Sequence, residues 1–197
     1  MKKLKILYLS KNMERYKAAS YQYEVMKELS KQAQVCFYGP GFKGYDLNDS
    51  IDEVLIKSPF EIDCIILGHS WLNDKNGVKV DPHPLLNLSN TDIPKIVILN
   101  KEYTNLDAKL TFIRENHFNI GFTHHHDIKK YTESTNIEFN FWPFAFSSEK
   151  INSITKEKNI DIGFSGVLQN LNKNADQSDI RVGIMNFFFH TLYDVPF

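Results

Sequence analysis

Apolar residues along this chain fall into short unbroken runs, and between the runs they recur every three or four positions. "KILYLS" (5–10), "QVCFYG" (34–39), "DCIILGHSW" (63–71), "PKIVILNKE" (94–102), "NIGFTHHH" (119–126) and "NIEFNFWPFAF" (136–146) are the runs. Side chains on both sides of the pleat are apolar, which predicts strands covered on both faces. In "AASYQYEVMKELSKQ" (18–32), Tyr21, Val25, Met26 and Leu29 share one helical face, with Lys27, Glu28 and Lys31 outside. "SIDEVLIKS" (50–58) predicts a helix capped by Ser50, and "LDAKLTFIRENH" (106–117) one that buries Leu106, Leu110 and Ile113. "DIKKYTES" (127–134) predicts a short helix, and Gly39–Pro40–Gly41 and Asn76–Gly77 mark turns. Strands separated by helices predict an α/β domain, a Rossmann-like doubly wound parallel sheet over residues 1–146.

The pattern then changes. Residues 147–159, "SSEKINSITKEKN", are polar with few anchors and read as a linker. "IDIGFSG" (160–166) restarts a strand, and "SDIRVGIMNFFFHTL" (178–192) reads as a helix capped by Ser178. One strand and one helix rarely stand alone. Residues 160–197 are therefore expected to be the first strand-helix unit of a second Rossmann-like domain, in a chain that is the front part of a longer protein. Docking of this unit on the first sheet is the alternative.

Composition narrows the function classes. The chain has 197 residues, 42% hydrophobic and 24% charged, with formal net charge −1. That is globular composition without a basic field, so nucleic acid is not an expected partner. "ILYL" near the start is too short for a secretory core, and no run approaches the roughly 18 apolar residues of a membrane helix. A cytoplasmic protein is expected, with Cys36 and Cys64 reduced. The basic start, Lys2, Lys3 and Lys5, leaves peripheral membrane contact open.

Several segments carry a family likeness. "IDCIILGHSW", "IPKIVILNKEY" and "IGFTHHHDIKKYTE" follow one another, then "FNFWPFAFSSEK" and "KNIDIGFSGVLQN". This succession resembles bacterial GT-B glycosyltransferases of the spore-maturation and surface-polysaccharide group. The matching residues are Trp142, Pro143, Phe144 and Ala145, then Ile160 to Gly166. The resemblance implies an acceptor-side domain over 1–146 and the start of a donor-binding domain over 160–197. It implies transfer of a sugar from a nucleotide-sugar donor to a surface-glycan or lipid-linked acceptor; no cofactor is expected, and the histidine spacing is not that of a metal site. The donor pocket of such enzymes lies mostly in the second half, so this chain alone is not expected to be fully active.

Open α/β sheets bind ligands beyond the carboxyl ends of their strands. The polar residues there are the site candidates. Glu102, His124 and His126 are the expected catalytic residues, because a base must take the acceptor proton. Asn12, His69, His125 and Asp127 are the expected substrate contacts. Ser165, Gly166 and Arg181 are assigned to the donor phosphates, where backbone N–H groups and a cation would stabilise the departing diphosphate.

The triplet His124–His125–His126 admits three readings. On a strand, His124 and His126 would point to one side, as a zinc-binding pair or as part of an acceptor cleft. They could equally be solvated histidines, with Asp127 capping the next helix. Ser10-Lys11-Asn12 and Gly68-His69-Ser70 stand where a phosphoryl-accepting receiver domain would need acidic residues. No GxGxxG follows the first strand, against a dinucleotide enzyme. A nucleotide-sugar epimerase of similar architecture and a non-catalytic α/β binding domain remain the alternatives.

Overall fold

Six strands form one all-parallel sheet in the order β2-β1-β3-β4-β5-β6. The computed structural model describes residues 3–16, 20–75 and 77–143, all within the unit Met1–Asn152. The expected linker 147–159, the unit 160–197 and the site residues Ser165, Gly166 and Arg181 lie outside the described residues.

The strands are β1 (Lys5–Leu9), β2 (Gln34–Tyr38), β3 (Cys64–Leu67), β4 (Lys95–Ile98), β5 (Ile120–Thr123) and β6 (Glu138–Phe141). The helices are α1 (Ser20–Gln32), α2 (Ile51–Lys57), α3 (Leu106–Glu115) and α4 (Ile128–Thr135). Every element expected within the described residues is present, and the fold is the Rossmann-like α/β class. Two short 3₁₀ turns, Pro84–Leu86 and Leu88–Asn90, occupy the β3–β4 connection, which the sequence left as loop. Their apolar side chains Leu86 and Leu88 are buried, so they cover sheet where a helix would otherwise lie.

Burial on both faces, expected for all the strands, is complete at β1 and follows from right-handed crossovers, while Ile120 of β5 and Phe141 of β6 stay 36% and 51% exposed. The chain steps from β1 to β2 in one direction and thereafter in the other. Accordingly Leu7 and Leu9 of β1 join a core with Ile51 and Val54 of α2, Leu110 and Ile113 of α3, and Tyr131 of α4. Ile6 and Tyr8 point to the opposite face and pack with Met26 of α1. These four β1 residues are at most 1% exposed. Burying each such side chain contributes about 1.5–3 kcal/mol, so the central strand holds both layers together. Beside α1, Ile66, Ile96, Ile98 and Phe122 floor an apolar groove of about 460 Å³.

Local chemistry sets the element ends. Ser50 closes a capping box with Glu53, and this fixes the start of α2 as the sequence predicts. Gly39 ends β2 at φ +142°, and a Cβ there would lie 2.0 Å from the Ser10 carbonyl oxygen. Cys36 and Cys64 are both free. They sit on β2 and β3, with β1 between, so roughly two strand spacings keep them beyond disulfide reach.

Candidate functional site

The strands end earlier than their apolar runs, and this decides where the polar residues stand. β3 stops at Leu67, so Gly68, His69 and Ser70 form a turn, closed by the Trp71 N–H donating to the Gly68 carbonyl at 3.1 Å. Gly68 is required there, because a Cβ would meet the Tyr8 ring at 2.5 Å. β4 stops at Ile98, and the loop after it turns through Lys101 at φ 51° and Asn105 at φ 53°. β5 stops at Thr123, so the histidine triplet follows the strand.

That ending overturns the strand alternation expected for the triplet. His124 turns in toward His69, while His125 and His126 are exposed and stack on each other at 4.6 Å. Asp127 holds the N-cap position of α4, yet its side chain makes no capping bond; its N–H donates to His125 Nδ1 at 3.1 Å instead. Asn12 lies in the loop after β1. Its amide donates to the Gly41 carbonyl and its side-chain oxygen accepts from the Glu14 N–H. Of the expected residues within the described part, the sheet edge brings together His69, Glu102 and His124, and not Asn12, His125, His126 or Asp127.

His124 is the centre of this cluster. Its Nε2 lies 3.0 Å from Nε2 of His69, and its Nδ1 lies 2.6 Å from the Trp142 carbonyl oxygen. Its backbone N–H donates to Glu102 Oε1 at 3.1 Å, and the Thr123 hydroxyl donates to the same oxygen. Glu102 thus ties the β4–α3 loop to the end of β5. The Trp142 ring stands 5.9 Å from His69, and Tyr21 of α1 meets His69 edge-on at 5.5 Å. His69 is 4% exposed. Burial first, and the neighbouring His124 second, bring its pKa down to about 3.

Sequence reasoning missed Trp142, Thr123 and Tyr21 as neighbours of this cluster, and Lys109 as its support. Trp142 reads as core in sequence, and its placement comes from the Trp142 N–H donating to the Thr123 carbonyl beyond the last β5–β6 pair. Lys109 of α3 is fully buried. Its ammonium bonds Asp74 Oδ1 at 2.5 Å and the carbonyls of Asn100 and Lys101 at 2.8 and 3.2 Å. It therefore holds the loop that carries Glu102. A lysine in an amphipathic helix gives no signal of this in sequence.

Among the described residues no group of three or more His, Cys, Asp or Glu is placed to hold a metal ion, and no helix is long and apolar enough to cross a membrane. What the cluster offers is imidazole acid–base chemistry beside a carboxylate, and the Tyr21 and Trp142 rings that pack on His69 also line the apolar groove beside α1. No protein-family model, curated protein or solved structure matches the chain.

Proposed function

We propose that the described domain is the acceptor side of a glycosyltransferase that moves a sugar from a nucleotide-sugar donor to a surface-glycan or lipid-linked acceptor. The observation that carries this reading is the convergence of His69, Glu102 and His124 beyond the carboxyl ends of β3, β4 and β5. Ligands of open α/β sheets bind at that edge. The chemistry needs a proton acceptor near a hydroxyl, and two joined imidazoles with a carboxylate beside them are groups that can serve. Tyr21 and Trp142, which touch His69, also line the apolar groove beside α1, where aromatic rings favour the C–H face of a sugar. Ser165, Gly166 and Arg181 keep their proposed donor-phosphate role on the resemblance alone.

The test is thermal stabilisation of the chain, and of any longer native form, by nucleoside diphosphates and nucleotide sugars, followed by a transfer assay. A ligand bound only by the folded state raises the melting temperature by mass action. Transfer activity that falls with His124→Ala and survives His126→Ala supports the reading. Activity on the nucleotide sugar without any acceptor would favour an epimerase. The absence of ligand stabilisation in every form would leave a non-catalytic binding domain.

A further inference from the structure

We infer that His69 and His124 work as one proton relay, with the accepting lone pair on His69 Nδ1 and the acquired charge housed on His124. As the base of a sugar transfer this rests on the function proposed above; as a proton-binding unit it does not.

The hydrogen bonds fix the tautomers. A carbonyl oxygen only accepts, so His124 Nδ1, 2.6 Å from the Trp142 oxygen, carries a hydrogen. In the neutral ring His124 Nε2 then bears a lone pair. His69 Nε2 stands 3.0 Å from it and must supply the hydrogen. That leaves a lone pair on His69 Nδ1, an atom buried with no partner among the described residues. A second unpaired acceptor is close by. Gln22 Oε1 is also buried and unpartnered, and the Gln22 amide donates to the hydroxyl of Tyr21, whose ring contacts His69. Two buried acceptors around Tyr21 call for a donor, and a sugar hydroxyl is one.

The relay balances as follows. A bound hydroxyl gives its hydrogen to His69 Nδ1 as its O–H bond breaks. The hydrogen on His69 Nε2 passes to His124 Nε2. His69 ends neutral, and His124 holds two N–H bonds and the positive charge. The freed oxygen pair forms the new bond to the donor sugar carbon, and the nucleoside diphosphate leaves with the electrons of the bond that breaks. Reversing both shifts returns the proton to solvent. Placing the charge on His124 agrees with the surroundings. Tyr21 faces His69 from α1, while the Glu102 carboxylate, on the loop after β4, accepts the backbone N–H of His124 and so places a negative charge at that residue. Burial keeps His69 itself from holding a charge.

Nitrogen-15 NMR of histidine-labelled full chain, titrated from about pH 9 to about pH 4, tests this directly. The expected result is a pyridine-like Nδ1 and a protonated Nε2 on His69 at neutral pH. The pair should then take up one proton across the range. His69→Gln and His124→Gln should each shift the titration of the remaining ring. A hydrogen on His69 Nδ1 at neutral pH, or two rings that titrate independently, would overturn the relay. The tautomer reading needs no variant, so it stands even if a substitution unfolds the chain. A relay confirmed without transfer activity would refute the enzymatic reading and leave the proton unit intact; activity with independent rings would do the reverse.

Discussion

Replacing Lys109 by methionine removes a buried ammonium that braces the Glu102 loop while keeping most of the stem that packs in the core. The Lys109 side chain is 1% exposed, and its three hydrogen bonds go to Asp74 and to the Asn100 and Lys101 carbonyls. Removing one partner of a buried ion pair costs about 3–5 kcal/mol. Here Asp74 is 22% exposed and retains Lys101 at 3.3 Å, so its stranded charge is partly solvated. The loss should fall at the lower end, about 3 kcal/mol, out of a total of roughly 5–15 kcal/mol for a folded domain. Lys101 sits at φ 51° with its carbonyl held by the ammonium, so the loop should also loosen. Urea denaturation of wild type, Lys109→Met, Asp74→Asn and the double variant measures both the loss and the coupling. Amide exchange should rise across residues 100–105. A loss under about 0.5 kcal/mol, or additive single variants, would refute the argument that this lysine carries the loop.

The remaining expectations concern pH, backbone and the strand ends. His69 titrates at about 3 in the folded state against 6.5 as a free group, so on acidification the unfolded chain takes up its proton first. Stability is therefore present above pH 6.5 and falls as pH drops toward 3, by up to about 1.4 kcal/mol per pH unit; denaturation midpoints of His69→Gln should be flatter than wild type between about pH 6.5 and 4.5. Gly39→Ala should cost about 3 kcal/mol or more, since its Cβ meets the Ser10 carbonyl, whereas Gly44→Ala, with nothing within 4 Å, should cost only about 1; equal melting temperatures would contradict this. Ser50→Ala removes the α2 cap and should cost about 1 kcal/mol in the same assay. Ser70→Ala leaves the Lys11 N–H unpaired and should cost about 1–3 kcal/mol without altering the histidine tautomers, which NMR would report.

The sheet was legible because its evidence is periodic and local. β1 carries Ile6, Leu7, Tyr8 and Leu9 without a polar interruption, and only a strand buried on both faces needs that. The side-chain cluster at the sheet edge was legible in place more than in detail. Knowing that ligands gather at carboxyl ends selected His69, Glu102 and His124 from three separate segments. It also drew in His126 and Asp127, because the apolar run was read as strand through residue 126, and the register with β6 ends pairing at Thr123. What no periodicity encodes is contact across the edge. His69 and His124 are 55 positions apart, and their meeting depends on two turns and on Trp142.

The position of the histidines also follows from what the chain does at its switch point. In the order β2-β1-β3, the connections leave β1 in opposite directions, and the crevice beyond β1 and β3 is where such sheets usually bind ligands. Here Ser10 and Ser70 hydrogen-bond across it at 2.7 Å, and the Lys11 N–H donates to the same Ser70 oxygen. Gly39 lets its backbone press against the Ser10 carbonyl from the β2 side. Ser10 is 2% exposed, so these groups are spent on one another. Unspent acceptors are found further along the edge, around His69. β3 and β5 flank β4 and lie roughly two strand spacings, near 10 Å, apart. Neither imidazole spans that distance, but two joined through their Nε2 atoms bridge it over Asn100, whose amide reaches the His69 carbonyl at 3.4 Å. The relay geometry is thus what a histidine at each end of this gap produces: His69 Nε2 is spent on His124 across β4, and the unspent Nδ1 is left for a ligand that comes in beside Tyr21.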